Sequence, residues 1–300
     1  MPGILDLVGN TPLVELKTIP VNKNVTIYGK MEGNNPGGSV KDRAAYGMIK
    51  GAIDRGEIKE GIKLIEATSG NTGIALAMIA SLFGVEIALV MPEDATRERV
   101  LTMEAFGAKV ILTPKEQSME GAIDYANSQV AGGGYLMLNQ FGNADNPLMH
   151  YRTTGPEILR DTKGGVTHFV SSMGTTGTIM GVSKYLKEQN HDIQIIGCQP
   201  TEGSKIPGIR KWPEAYLPTI FDRSRVDRVM DIDERDARIM AKRLAREEAI
   251  FSGMSSGGAV HAAIELSKEL TSGVIVAIIC DRGDRYLSSD LFDDLPVNHS

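Results

Sequence analysis

The chain has 300 residues, 42% of them hydrophobic, and a net charge of −6. That length sets a prior of about two domains at roughly 100–200 residues each, with cores large enough to need no disulfide or metal staples. The acidic balance and the lack of any Lys/Arg block argue against a nucleic-acid partner. The only two cysteines, Cys198 and Cys280, each end an apolar run and build no disulfide framework.

The first ten residues, MPGILDLVGN, have no basic flank and no apolar signal core, so the expected compartment is a reducing cytoplasm. Short apolar β-type runs then alternate with longer helical patterns. Strands are predicted over 26–30, 63–67, 86–91, 109–112, 167–171, 194–198, 226–231 and 274–280. Helices are predicted near 41–55, 72–83, 96–106, 117–131, 147–161, 177–189, 234–247 and 257–270. The greasiest stretch, residues 74–91, is broken by Ser81, Gly84 and Glu86. It reads as helix, turn and strand rather than a membrane span. Strands such as VIVAIIC are apolar on both faces, which fits parallel sheets covered by helices, hence an α/β class. Residues 200–221 form the longest irregular piece. With Pro200, Pro207, Pro213, Pro218, Trp212, Tyr216 and Phe221, it reads as an ordered functional loop. The final DLFDDLPVNHS reads as a frayed acidic tail. The five histidines are scattered, so no metal site is expected.

Four segments carry the chemistry. In Asn35-Pro-Gly-Gly-Ser-Val-Lys-Asp-Arg43, Ser39 and Asp42 read as a capping box opening a helix. Lys41 then faces the positive end of the helix dipole, a penalty of about 0.3–1 kcal/mol that favours a neutral amine. In Glu66-Ala-Thr-Ser-Gly-Asn-Thr-Gly73, the helix start and the Thr68, Ser69, Asn71 and Thr72 side chains suit a carboxylate or phosphate, although a plain Ser/Asn cap fits too. In Gly174-Thr-Thr-Gly-Thr178 the glycines let backbone N–H groups close on an anion. The dinucleotide and P-loop spacings are absent, which points to a single phosphate. Gly253-Met-Ser-Ser-Gly-Gly258 opens another helix, with Ser255 or Ser256 as its cap. In open parallel sheets, loops at the carboxyl ends of strands converge on one ligand.

Together, NPGGSVKDR, EATSGNTG, SSMGTTGT and GMSSGGA resemble the fold type II (β-family) pyridoxal-phosphate (PLP) enzymes, and within them the cysteine synthases, or O-acetylserine sulfhydrylases. The resemblance runs from Val8-Gly-Asn-Thr-Pro12 to Asp281-Arg-Gly-Asp-Arg-Tyr286. The strings SSMGTTGT, IPGIRKWPEAYLP and IICDRGDRYL look most like the B-type branch, which also accepts thiosulfate. It implies two domains with mainly parallel twisted sheets. Residues 41–145 would be the smaller, mobile one carrying the carboxylate loop; residues 1–40 plus 146–300 would be the larger, phosphate-binding one. It also implies a homodimer.

By the same likeness, Lys41 carries PLP as a Schiff base and moves the substrate's Cα proton. Asn71 bonds the cofactor's ring hydroxyl. Gly174, Thr175, Thr176, Gly177 and Thr178 cradle its phosphate. Ser255 meets the ring nitrogen, where a serine, unlike an aspartate, does not hold that nitrogen protonated, so the ring is a weaker electron sink. Thr68, Ser69, Thr72 and Gln140 hold the substrate carboxylate. The implied substrates are O-acetylserine with sulfide or thiosulfate. Arg210, in Ile206-Pro-Gly-Ile-Arg-Lys-Trp212, departs from the glycine-rich loop of the sulfide-specific branch. It recruits an anionic co-substrate, reads the phosphate of O-phosphoserine, or is a solvated surface arginine. Cys280 and Asp281 border the same pocket if the last strand ends there. Dehydratases and cystathionine β-synthases share the loops but usually carry extra segments. A non-catalytic relative would not need Lys41 with all four loops.

Overall fold

Runs that are apolar on both sides need cover on both sides. The computed structural model, which describes residues 3–293, supplies it with two sheets wrapped by helices. In chain order the elements are β1 (Leu13–Glu15), β2 (Val25–Met31), α1 (Lys41–Asp54), β3 (Lys63–Ala67), α2 (Asn71–Leu82), β4 (Ile87–Pro92), α3 (Arg97–Ala105), β5 (Lys109–Thr113), α4 (Ser118–Ala131) and β6 (Tyr135–Leu136). They continue with α5 (Asp145–Arg152), α6 (Thr154–Asp161), β7 (His168–Ser172), α7 (Gly177–Gln189), β8 (Gln194–Pro200), β9 (Arg228–Ile232), α8 (Glu234–Glu247), α9 (Met254–Glu269) and β10 (Gly273–Ile279). One sheet runs β1-β2-β10-β7-β8-β9, parallel except for the edge strand β1. The other runs β5-β4-β3-β6, all parallel. Every residue of β4 is buried, as its unbroken apolar run requires. One core lies on α1 and α2 around Met48, Ile49, Leu76 and Ile79. Two others flank the six-stranded sheet, around Ile27, Val260 and Ile275 and around Phe169, Val182 and Ile195.

Several expectations need correction. The helix expected over 147–161 is two helices, α5 and α6, broken at Thr153. The break places Pro156 in the first turn of α6, where its missing N–H removes no helix bond. Strands β1 and β6, three and two residues long, are too short to show a period. The Ser39/Asp42 capping box does not form. Ser39 Oγ accepts from the Lys41 amide at 3.2 Å, while the Asp42 carboxylate turns back to the Gly37 amide at 2.5 Å. Burial pushes Asp42 up to about 7. Helix α9 begins earlier than expected, capped by Gly253, so Ser255 and Ser256 lie inside its first turn rather than at its cap. The tail reading fails where it overlaps the described chain. Leu291 is buried in the core and Phe292 packs on Phe251 at 4.8 Å. Residues 294–300 lie outside the described residues. Among those described, no helix is long and apolar enough to cross a membrane, and the cysteines are free.

Candidate active site

Lys41 is the first residue of α1, and the turn before it is stitched to the end of β10. The Val40 amide donates to the Cys280 carbonyl at 2.8 Å, and Ser39 forms an isolated bridge with Asp281. The start of α1 is fixed from beneath by Arg43. Its buried guanidinium grips Glu32 at 2.7 and 2.8 Å and Glu157 at 2.7 and 2.8 Å, while Lys30 reaches Glu157 at 2.7 Å. Burial opposes both carboxylates, but Arg43 outweighs it: Glu32 is lowered, and Glu157, helped by Lys30, is held down to about 2. The sequence reading missed this network. Scattered charges show no pairing until strands and helices meet.

Burial is the main cause pushing the Lys41 amine below the ordinary lysine range, and the nearby Cys280 and Asp281 oppose it. Loss of hydration disfavours its charge. Cys280 is half-buried between Lys41 and Ser255. Burial pushes its thiol up to about 12, so it stays neutral. Asp281, also raised by burial, accepts from the Tyr286 hydroxyl at 2.5 Å and from Asn71 Nδ2 at 2.7 Å. Arg285 donates to Asn71 Oδ1 and to the Gly37 carbonyl. Asn71 is therefore held at both ends of its amide, with one N–H left over.

Residues 68–72 run from the end of β3 into the first turn of α2, whose cap, Gly70, offers no side chain. The free N–H groups of that first turn are thus left for another acceptor. Thr68 and Thr72 are buried, Ser69 is half-buried, and Thr72 Oγ1 donates to Gln140 Oε1 at 2.8 Å. Gln140 comes from a turn 68 residues further on, and the structure brings the two together.

Residues 174–178 run from the turn after β7 into the first turn of α7. Thr176 caps α7 in a left-handed conformation at φ 71, and its buried Oγ1 has no hydrogen-bond partner. A Cβ on Gly174 would meet the Gly208 carbonyl at 2.6 Å. The 206–212 loop closes over this turn: Trp212 Nε1 donates to the Gly174 carbonyl at 2.8 Å and the Arg210 amide to the Met173 carbonyl at 2.9 Å. Thr178 Oγ1 lies 3.3 Å from His150 Nε2. Burial and then Arg43 push His150 down to about 3, so it is neutral. Ser255 is buried close to Cys280, and its carbonyl accepts from Ser172 Oγ at 2.6 Å. The Arg210 side chain stands apart. It is exposed, 5.2 Å over the Trp212 ring, on the rim of a cleft of about 1190 Å³ between Asn139–Phe141–Gly142 and residues 200–219.

These residues fit a phosphate-bearing aldehyde cofactor. Thr176 Oγ1 is a buried polar atom without a partner beside the open amides of a helix start, and Lys41 is a half-buried amine whose charge is disfavoured by desolvation. The comparisons agree. Residues 4–281 match the family described as pyridoxal-phosphate dependent enzyme. The chain is 60% identical over 292 residues to cysteine synthase B of Pseudomonas aeruginosa, covering 97% of this chain and 98% of that one. It is 56% identical over 294 residues to cysteine synthase B of Escherichia coli, covering 98% and 97%. Among solved structures, the cysteine synthase of Entamoeba histolytica superposes with a TM-score of 0.93 at 38% identity, covering 98% of this chain and 91% of that one. An O-ureido-L-serine synthase superposes at 0.92 with 36% identity, covering 98% and 96%. The chain belongs to the pyridoxal-phosphate dependent enzymes.

Proposed function

We infer that the chain is a cysteine synthase. It replaces the acetate of O-acetyl-L-serine by a sulfur nucleophile at Cβ, giving L-cysteine from sulfide and S-sulfocysteine from thiosulfate. The observation that carries the reading is the half-buried Lys41 amine, held at the end of β10 by the Val40–Cys280 bond and the Ser39–Asp281 bridge, in a chain 60% identical to a cysteine synthase B.

When bound, the cofactor supplies an electron sink conjugated to the amino acid's Cα. Everything else falls to the protein. Gly174, Thr175, Thr176, Gly177 and Thr178 would hold the phosphate through amides and hydroxyls, without a lysine or arginine. Ser255 would meet the ring nitrogen as a neutral partner. Asn71, its amide fixed by Asp281 and Arg285, would offer its spare N–H to the ring hydroxyl. Thr68, Ser69, Thr72 and Gln140 would take the substrate carboxylate, with residues 41–145 closing on the larger unit to shed water. Lys41 would remove the proton from Cα and return it after sulfur has added. A lowered amine pKa keeps more of it in the basic form near neutrality. A cytoplasmic homodimer is expected from the resemblance alone.

The deciding experiment is a matrix assay. It offers O-acetylserine, O-phosphoserine and serine against sulfide, thiosulfate and homocysteine, with products identified. O-Acetylserine with sulfide and thiosulfate should dominate; a preference for O-phosphoserine or homocysteine would replace this reading. Arg210 at the cleft rim is proposed to recruit the anionic co-substrate. Arg210→Ala should lower kcat/KM for thiosulfate about tenfold, the scale of one charge-assisted bond, while sparing sulfide. An equal effect on both removes the recruitment role.

A further inference from the structure

Asn146 belongs to none of the four loops, yet its side chain touches two of the site's segments. It is the second residue of α5 and 1% exposed. Its Nδ2 donates to the Gln140 carbonyl at 2.9 Å and to Thr175 Oγ1 at 3.3 Å. A side-chain amide nitrogen carries two protons, so both bonds form at once. A Cβ at Gly177 would overlap the Asn146 amide, which places α5 directly against the start of α7. Each end of this bridge is tied further. The buried Glu66 carboxylate accepts from the Asn139 amide at 3.3 Å, and also from the amides of Leu138 and Gln140. Thr72 donates to Gln140 at 2.8 Å, and Thr175 Oγ1 accepts weakly from the Gly177 amide at 3.4 Å. Gln140 therefore links the two sides, its side chain bonded to Thr72 and its backbone carbonyl to Asn146, which reaches Thr175.

We propose that Asn146 is a positioning residue that couples the substrate-carboxylate turn to the cofactor-phosphate loop. This rests on the reading above of residues 174–178 as the phosphate loop and of Thr72 with Gln140 as carboxylate binders. The physical basis is the cost of an unpaired donor in a dry site. If either acceptor moves away, a buried N–H loses its partner, so the two segments settle together. Filling one side orders Asn146 for the other, and such coupling is reciprocal in binding.

Asn146→Asp keeps the shape and removes the donor. The apoprotein is titrated with PLP by absorbance, and the reloaded protein with L-serine by the change in cofactor absorbance. Dissociation constants for both should rise, each about tenfold, with the urea midpoint followed alongside. Asn146→Ser, smaller and uncharged, provides the same pair of measurements where the aspartate impairs folding. A change in only one constant, or a shift in the urea midpoint with both constants intact, overturns the coupling. Two further variants test the underlying reading separately. Thr176→Val should weaken PLP alone and Thr68→Val should weaken L-serine alone. If those fail, the loop assignments fall, whatever Asn146 does.

Discussion

Lys41 sits where a charged ammonium is disfavoured, half-buried at the first turn of a helix. Lys41→Ala should abolish a cofactor absorbance that borohydride bleaches in the parent protein. It should also lower turnover by at least about 10²-fold, the low end of what a positioned base contributes. A variant that keeps the bleachable absorbance and the rate would remove Lys41 from both roles. His150 makes a second residue-scale prediction. Burial, Arg43 and Lys41 disfavour its charge, Glu32 and Glu157 favour it, and the balance leaves it at about 3 against an ordinary 6.5. The unfolded chain therefore takes up a proton below 6.5 that the folded chain refuses until about 3. In that window stability falls by about 1.4 kcal/mol per pH unit from this group. His150→Gln, which keeps a donor and an acceptor, should flatten that acid decline in urea titrations at pH 4 to 7. Parallel curves for the two proteins would contradict it.

At the scale of elements, α5 and α7 decide the phosphate loop. Gly177 and Gly181 are one turn apart on α7, and a Cβ at Gly181 would overlap the Pro147 carbonyl and crowd His150. The close approach is what lets Asn146 and His150 reach Thr175 and Thr178. Gly181→Ala should thus cost about 1–3 kcal/mol in urea unfolding, as overpacking does, and weaken PLP binding in step. Loss of stability with full PLP affinity would show that α5 can retreat without disturbing the loop. The sequence revealed α7 and its glycine-rich approach because strand, loop and helix are adjacent in the chain. It merged α5 with α6 by reading one helical pattern through Gly155-Pro156, a breaker pair just after Thr153 that falls in the first turn of α6.

For the whole molecule, the question is whether residues 41–145 move as a unit. The two sheets have separate cores, and across the cleft lined by residues 139–142 and 200–219 Phe141 meets Trp212, with ring centroids 5.3 Å apart and edge-on. Trp212 is the only tryptophan, so it reports this contact without interference. Binding of L-serine to the loaded protein should shift Trp212 emission, and Thr68→Val should remove the shift at the same ligand concentration. Emission unchanged by saturating amino acid would argue for a cleft that does not close.

The sequence by itself determined the α/β class, most element positions and the loops with their chemistry, because these depend on neighbours within about ten residues of each other: an apolar run, a turn glycine, a hydroxyl before a helix. It also carried the family likeness at Lys41 and residues 174–178. Only the tertiary structure decided which distant groups share a buried site. Arg43 finds Glu157 across 114 residues, Asn71 finds Asp281 across 210, and Asn146 joins Gln140 to Thr175. It also decided that Asp42 turns back to Gly37 instead of capping its helix, and that Arg210 faces solvent over Trp212. Burial is the physical reason: desolvation and hydrogen-bond satisfaction depend on what the folded chain brings alongside, and no local pattern encodes that.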